Sequence, residues 1–406
     1  MATSSEDEGK HGRARTRAQR LSLGFIGGGL NSAVGQTHYA ASRMDGRWSL
    51  DAGVFSRDAD TNRQTAEHWN VAPDRLYGSW RDLLLAERSR LDAVVVLTPT
   101  PNHYEIVQAL LKAGIPIICE KALVANLNDA RTLLAQYNPA RNFLAVTFNY
   151  SGYPMVRELR QRIRAGQFGK IHQLHIEMPQ EGFVRPPAIA GRAAPPQSWR
   201  LKDDFIPTIC LDLGVHLHHL SYFLCGEEPE NVNAEFNTYS QYKDIVDNIS
   251  MWLDYPSGMT SNFWMSKTAV GRRNGLRIRL FGELGSAEWY QMEPEQLNIS
   301  TVDGMHMTID RGGQASIAGE ARYNRMKVGH PSGFIEAFAN LYTDCADALI
   351  EWRQNGRSAN PHVFGIEHAT NGLALFHAAR LASSRRRWER VHCTPYRESA
   401  ISKLKP

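Results

Sequence analysis

A short apolar run, Pro116–Leu123 (Pro-Ile-Ile-Cys-Glu-Lys-Ala-Leu), stops abruptly at two charges, Glu120 and Lys121. Near-continuous apolar runs of this length are how buried parallel strands read. Ligands of open α/β sheets lie beyond the carboxyl ends of the strands, so a lysine there is placed to face a substrate. An isolated Glu-Lys pair is equally a solvated turn, and the surroundings must decide. A second chemical stretch is Ile209-Cys-Leu-Asp-Leu-Gly-Val-His-Leu-His-His-Leu-Ser-Tyr-Phe-Leu. It predicts an amphipathic helix on which Asp212 and His216, four apart, share a face. An imidazole with an ordinary pKa near ~6.5 exchanges protons readily around neutrality. The triplet His216, His218 and His219 also raises the question of zinc. His216 and His219 share the face of Asp212, but no Glu follows as in H-E-x-x-H, so no metal is expected. His218 and His219 are expected to pack or hydrogen-bond.

The elements that must position these residues come from an ordinary globular composition. The chain has 406 residues, 42% hydrophobic and 22% charged, enough for two to three domains. Its net charge of +4 is small and concentrated in the N-terminal tail and at Arg385–Arg387, so no nucleic-acid-binding face is expected. Five cysteines, at 119, 210, 225, 345 and 393, form no C-x-x-C pair. Free thiols in a reducing cytoplasm follow. No apolar run reaches the ~20 residues of a membrane span. Residues 1–20 are polar and charged without an apolar segment, and predict a flexible tail rather than a signal peptide.

From Leu21 onward the chain reads as alternating strands and helices. Leu21-Ser-Leu-Gly-Phe-Ile runs into Gly27-Gly28-Gly29, followed by a helical segment after Gly35. Strand, glycine turn and helix form the context of a dinucleotide fingerprint, in which glycines admit the pyrophosphate and the helix N-terminus favours its charge. Gly27 and Gly29 fit the first two positions. Ser32 stands where a third glycine belongs, so a three-residue insertion transferring that role to Gly35 is inferred. Strands at Ser49–Ser56, Asp92–Leu97, Pro116–Cys119 and Phe143–Phe148 alternate with helices at Ala59–Trp69, Ser79–Glu87, His103–Lys112 and Asn126–Tyr137. Asn102 and Asn126 are expected as caps. The pattern predicts a six-stranded Rossmann domain over 21–148. At the end of the second strand, Ser56 and Arg57 accommodate a 2′-phosphate and Asp58 a 2′-hydroxyl, so NAD and NADP both stay open.

Beyond Asn149 the texture changes. A helix at Tyr153–Ala165, an alternating strand at Lys170–Met178 and a proline-rich loop at Pro179–Ser198 are predicted. Strand pairs follow at Ile249–Tyr255 with Thr260–Ser266, Leu276–Phe281 with Ser286–Gln291, and Gln296–Val302 with Met305–Ile309. These are hairpins of an antiparallel sheet, and helices at Gly333–Trp352 and Val363–Ser384 close an α+β second domain over 149–406.

The glycine turn with His38 in its helix, Thr98-Pro-Thr-Pro-Asn-His103, Glu120-Lys121, Asn149-Tyr150 and Asp212-x-x-x-His216 together resemble the Gfo/Idh/MocA oxidoreductases. The resemblance covers the chain from about Leu21 onward. It implies a Rossmann domain followed by an open, mainly antiparallel sheet that often forms the interface of a homodimer or homotetramer. It also implies a cleft where Glu120-Lys121 meets Asp212 and His216. Cofactor contacts are then expected from Gly27, Gly29, Gly35, Ser56, Arg57, Thr98, Pro99, His103, Glu120 and Asn149. Lys121 would hold the reacting oxygen with a lowered pKa, Asp212 would bind a neighbouring hydroxyl or orient the proton carrier, and either Lys121 or His216 would be the base. Tyr150, Trp199, Arg200 and His330 are expected on the substrate, a polyol, sugar or nucleotide sugar. Three departures stand out. Ala122 replaces the proline that usually follows Glu-Lys, often in a cis peptide, so a different turn is expected. The Gly29–Gly35 loop is long, and Gly329-His-Pro-Ser-Gly333 matches only a subset of the family. The implied activity is NAD(P)-dependent oxidation of a secondary alcohol. The rivals on the same fold are an NAD-dependent glycoside hydrolase and a non-catalytic cofactor-binding regulator.

Overall fold

The computed structural model describes residues 20–184 and 196–396. The tail expected at 1–20 lies outside them except for Arg20, as does 185–195 of the expected proline-rich loop. The first half follows β1 (Leu21–Gly27), α1 (Ala33–Met44), β2 (Trp48–Val54), α2 (Ala59–His68), α3 (Trp80–Glu87), β3 (Ala93–Leu97), α4 (His103–Ala113), β4 (Ile117–Cys119), α5 (Leu127–Gln136) and β5 (Leu144–Val146). The strands form one parallel sheet in the order β2-β1-β3-β4-β5. It has five strands, which are the five segments named from the sequence and one fewer than the six counted there. After β5 the chain tightens into a 3-10 turn at Asn149–Gly152 and leaves without another crossover.

β3 and β4 are buried along their whole length, as their apolar sequences require. Asn126 caps α5 through its side chain. Asn102 does not cap α4: it lies in a 3-10 turn with α-region backbone and makes no side-chain cap bond. A cap residue needs extended backbone to aim its oxygen at the first turn, and the Thr100–Asn102 turn denies that.

The second half contains α6 (Pro154–Arg164), β6 (Ile171–Pro179), α7 (Val215–Cys225), β7 (Asn231–Asn237), β8 (Asn248–Asp254), β9 (Thr260–Ser266), β10 (Arg277–Gly282), β11 (Gly285–Tyr290), β12 (Leu297–Thr301), β13 (His306–Ile309), α8 (Phe334–Asn355), α9 (Ile366–Arg385) and β14 (Glu389–Arg390). Nine strands form a sheet ordered β13-β12-β11-β10-β6-β9-β8-β7-β14. Every pairing is antiparallel except β6 with β9, which is parallel. β7, β8 and β9 meander back to lie beside β6, and that return sets the parallel pair.

The predicted amphipathic helix differs in two ways. Cys210–Gly214 is a π turn, and only Val215–Cys225 is α-helical. From Val215 to Leu224 every residue is buried, because the helix is inserted among α6, α9 and β6. A helix enclosed on all sides has no solvent face to be polar on. Its histidines are therefore interior groups. α8, although late in the chain, shares a core with Leu23, Phe25 and Trp48 of the first sheet. The Trp48 indole donates to the Tyr342 carbonyl at 2.8 Å.

Candidate active site

The carboxyl edge of the parallel sheet gathers the residues of interest. Lys121 lies two residues past the end of β4, and its peptide bond to Ala122 is cis although no proline is present. The expected change of turn at this position does not occur. Lys121 Nζ donates to the Asp212 carbonyl oxygen at 2.7 Å and lies 3.2 Å from Asp212 Oδ1. Arg200 Nη1 reaches Asp212 Oδ2 at 2.6 Å, and Lys267 Nζ reaches the same oxygen at 2.7 Å. Three cations converge on one carboxylate. Burial would raise the pKa of Asp212, but Lys267, Lys121 and Arg200 outweigh it and hold the group well below the usual carboxylate range.

His216 stands beside them with its ring edge-on to Tyr150, centroids 4.6 Å apart. It is buried, and its Nδ1 has no hydrogen-bond partner among the described residues. Burial first, and the Lys121 charge second, push its pKa well below the ordinary value. At neutral pH the imidazole is uncharged and holds a lone pair available for a proton.

Lys267 was not anticipated from the sequence. It directly follows β9, but β9 is an alternating, half-buried strand and gives no signal like the apolar run before Lys121. Gln180 and Asn274 were also missed. Lys267 Nζ donates to Gln180 Oε1 at 2.6 Å, the Gln180 amide donates to Asn274 Oδ1 at 3.0 Å, and Asn274 donates to the Tyr150 hydroxyl at 3.1 Å. This chain fixes Tyr150 relative to the cation cluster.

Glu120 points away from Lys121. Its carboxylate accepts from His38 Nε2 at 3.0 Å and from the Thr147 hydroxyl, and His38 Nδ1 contacts Tyr342 Oη at 2.7 Å. Burial would raise its pKa, but the His38 hydrogen bond and the His38 and Lys121 charges hold it below the ordinary value. His103 is fully buried against backbone carbonyls, with Nε2 2.6 Å from Thr98 O and Nδ1 3.0 Å from Ala122 O. It ties the loop after β3 to the turn carrying Lys121. Thr98 Oγ1 and Asn149 Nδ2 are buried without partners among the described residues, and Pro99 is exposed between them in sequence.

Trp199 is half-buried, its indole donating to Gln197 Oε1 at 2.8 Å, and the Arg200 guanidinium lies over its ring at 4.6 Å. His330 is exposed, with Nδ1 3.2 Å from Lys327 O. No interaction among the described residues ties it to Lys121, Asp212 or His216.

The glycine turn is tightly drawn. Gly27 and Gly28 have φ of 86° and 76°, conformations that favour glycine; Gly28 was not singled out from the sequence. Gly35 lies inside α1, where a Cβ would stand 1.7 Å from the Gly28 carbonyl oxygen. Ser32 caps the helix by accepting from Gly35 N at 3.2 Å. Gly35→Ala is therefore expected to push α1 off the turn and weaken dinucleotide affinity by at least about tenfold. Titration calorimetry with NAD and NADP checks this, and unchanged affinity would refute it. At the end of β2, Asp58 accepts from Thr61 N at 2.8 Å as the cap of α2. Ser56 Oγ accepts from Asp58 N at 3.1 Å, and Arg57 is exposed.

His218, Glu228 and His368 place ligand atoms within 4.8 Å of one another. They are already engaged: His218 Nε2 lies 2.7 Å from Glu228 Oε2, and His368 Nδ1 lies 2.8 Å from the Tyr396 hydroxyl. This cluster ties α7, α9 and the C-terminal segment together, and no described helix is long and apolar enough to cross a membrane.

Residues 21–148 match the model of the oxidoreductase family with an NAD-binding Rossmann fold, GFO_IDH_MocA, and residues 156–288 match the GFO/IDH/MocA C-terminal domain. The uncharacterized oxidoreductase YfiI of Bacillus subtilis is 27% identical over 343 residues, spanning 82% of this chain and 87% of that protein. Inositol 2-dehydrogenase of Rhizobium meliloti is 27% identical over 219 residues, 53% of this chain and 62% of that protein. Among solved structures, an inositol dehydrogenase homolog from Azotobacter vinelandii, complexed with NADH and myo-inositol, superposes with a TM-score of 0.82. It is 26% identical, and the match covers 92% of this chain and 98% of that one. With both halves matched and the doubly wound and open sheets in place, this chain belongs to the GFO/IDH/MocA oxidoreductase family.

Proposed function

We propose that the protein oxidises a secondary hydroxyl of a polyol, sugar or nucleotide sugar, or reduces the corresponding ketone, with NAD(P). The observation that carries this reading is the junction of Lys121, Asp212 and an unpaired neutral His216 at the carboxyl end of β4. A dinucleotide fits the neighbouring residues: a Cβ at Gly27, Gly28 or Gly35 would meet neighbouring atoms below 3 Å, and buried Thr98 and Asn149 atoms lack partners among the described residues. When bound, the nicotinamide supplies the hydride acceptor or donor. Lys121 donates to the reacting oxygen, and His216 takes the hydroxyl proton as the C–H hydride leaves. Asp212 orients Lys121 and accepts from an adjacent hydroxyl. Glu120 and His103 hold the turn that aims Lys121 and act as positioning residues.

The test is the absorbance of the reduced cofactor, with NAD and NADP in parallel against polyols, sugars and nucleotide sugars. Net reduction supports the reading; tight cofactor binding with no net turnover of any substrate would overturn it, and would favour a hydrolase that recycles its cofactor or a regulator.

With Asp58 committed to capping α2, the β2 end offers Ser56 and Arg57 to the ribose, which favours a 2′-phosphate. The enzyme is thus expected to accept NADP, and Arg57→Ala to raise the KM for NADP about tenfold with little effect on NAD. A wild-type enzyme using NAD alone would refute this. The same reading carries a homodimer or homotetramer built on the open sheet, checked by light scattering. It also carries a cytoplasmic location, in keeping with five free cysteines.

A further inference from the structure

The charges around Asp212 do not balance. Lys121, Arg200 and Lys267 are only partly exposed, at 17%, 29% and 12% of their side chains, and all three lie within 3.2 Å of Asp212. Among the described residues, the nearby Glu120 is buried and turned toward His38 and Thr147, and the carboxylates of Asp203 and Asp247 are spent on backbone N–H groups of Thr208, Val246, Tyr239 and Ser240. His216 is neutral. At the Asp212 carboxylate itself three cations meet one negative charge, two in excess. A half-desolvated surplus of one sign is unfavourable unless the ligand completes it. Asp212 also directs both Arg200 and Lys267 at its single Oδ2, so these two cations face one small region. The guanidinium rests on the Trp199 ring, and the ammonium is pinned by Gln180. Both are held in place before a ligand arrives. A fork-shaped guanidinium beside an ammonium is the donor set that recognises an oxyanion.

We propose that the substrate is anionic: a polyol or sugar bearing a carboxylate or phosphate, with Arg200 and Lys267 binding the oxyanion while Lys121 and His216 work on a secondary hydroxyl. This rests on the hydride-transfer reading of the same site. The reaction balances as before: the C–H hydride goes to the nicotinamide, the hydroxyl proton goes to His216, and the oxyanion is unchanged.

The experiment is titration calorimetry on the full chain saturated with oxidised cofactor. Matched sets are compared: glucitol against gluconate, glucose against glucuronate and glucose 6-phosphate, and myo-inositol against its monophosphate. At least one anion is expected to bind about tenfold or more tightly than its neutral partner, and that advantage should shrink as ionic strength rises. The carboxylate and phosphate arms separate the two oxyanions. In Lys267→Gln the advantage should fall at least about fivefold, and Lys267→Arg should restore it. If Lys267→Gln does not fold, Arg200→Gln gives the same reading. Neutral partners binding as tightly as every anion, or an advantage untouched by both variants, would overturn the inference. Turnover is scored separately. Preferential anion binding with no turnover of any substrate removes the dehydrogenase reading and leaves the anion site standing, while turnover of neutral substrates with no binding advantage for any anion does the reverse.

Discussion

Replacing Lys121 with alanine is expected to lower the rate of cofactor reduction at least about a thousandfold, within the range that a positioned proton-handling group supplies. Cofactor affinity should stay within about threefold, because the glycine turn and the β2 end do not touch this side chain. Alanine removes the donor to the reacting oxygen and one of the three cations on Asp212. Arg200 and Lys267 remain, so the carboxylate stays paired and the fold should survive. There is also a pH signature. Burial is the larger cause of the low His216 pKa, and the Lys121 charge is the next. Without that charge the His216 pKa moves back upward, so the acid limb of any residual activity should shift to higher pH. Stopped-flow reduction of the cofactor across pH, with melting curves as the control for folding, gives both readouts. A variant that keeps a tenth or more of wild-type turnover would remove Lys121 from the chemistry.

Most of the fold was legible because its signals are local. Buried strands such as Ala93–Leu97 are written as apolar runs, and caps such as Asn126 sit at the helix starts. The inference that Gly35 takes the third glycine's place rested on spacing, and the approach of α1 to Gly28 is its geometric counterpart. What was not legible depends on distant pairing. β7, Asn-Val-Asn-Ala-Glu-Phe-Asn, is the exception: it alternates polar and apolar residues with Val232 and Ala234 buried, a local strand signal that was overlooked. The parallel β6–β9 pair is decided by a return across more than eighty residues of chain, which no hairpin rule encodes. The α7 helix looked amphipathic because histidines count as polar, yet each lies in the interior.

The candidate site divides in the same way. Lys121, Asp212 and His216 lie together, and Arg200, expected only on the substrate, joins them through Asp212. Glu120 and His103 carry the right motifs, but their side chains face His38 and backbone carbonyls, one layer behind the cleft. A motif records that a residue is needed and is silent on which way it points. Lys267, Gln180 and Asn274 carry no motif, and enter only because β6, β9 and the loop before β10 end near one another.

Three buried histidines and the half-buried His362 lead to the second large effect, a sharp loss of stability in mild acid. Burial pushes the pKa of His216, His219, His362 and His368 well below the ordinary value. Above about pH 6.5 these rings are neutral in the folded and the unfolded chain, and pH has no purchase on them. As pH falls below that value, the unfolded chain takes up protons that the folded chain refuses. Each such histidine then costs about 1.4 kcal/mol per pH unit, so four together withdraw up to roughly 5 kcal/mol per unit. That is comparable with the whole stability of an ordinary domain. The ionised Glu228, held at about 2 chiefly by His218 against the opposing effect of burial, does not offset the loss: a carboxylate depressed in the folded state keeps its contribution until far lower pH. The melting temperature should therefore be nearly flat from pH 8 to 7 and drop on the order of 10 °C between pH 6.5 and 5.5. Replacing one of the four tests the cause. His362 is the choice, since its Nδ1 is buried without a partner among the described residues. In His362→Leu the dependence should flatten by one proton's worth, about 1.4 kcal/mol per pH unit, when urea unfolding is followed at matched pH. A stability that stays level down to pH 5.5 would mean that these rings find protons or partners in the folded chain, and would remove them as the acid-sensitive element.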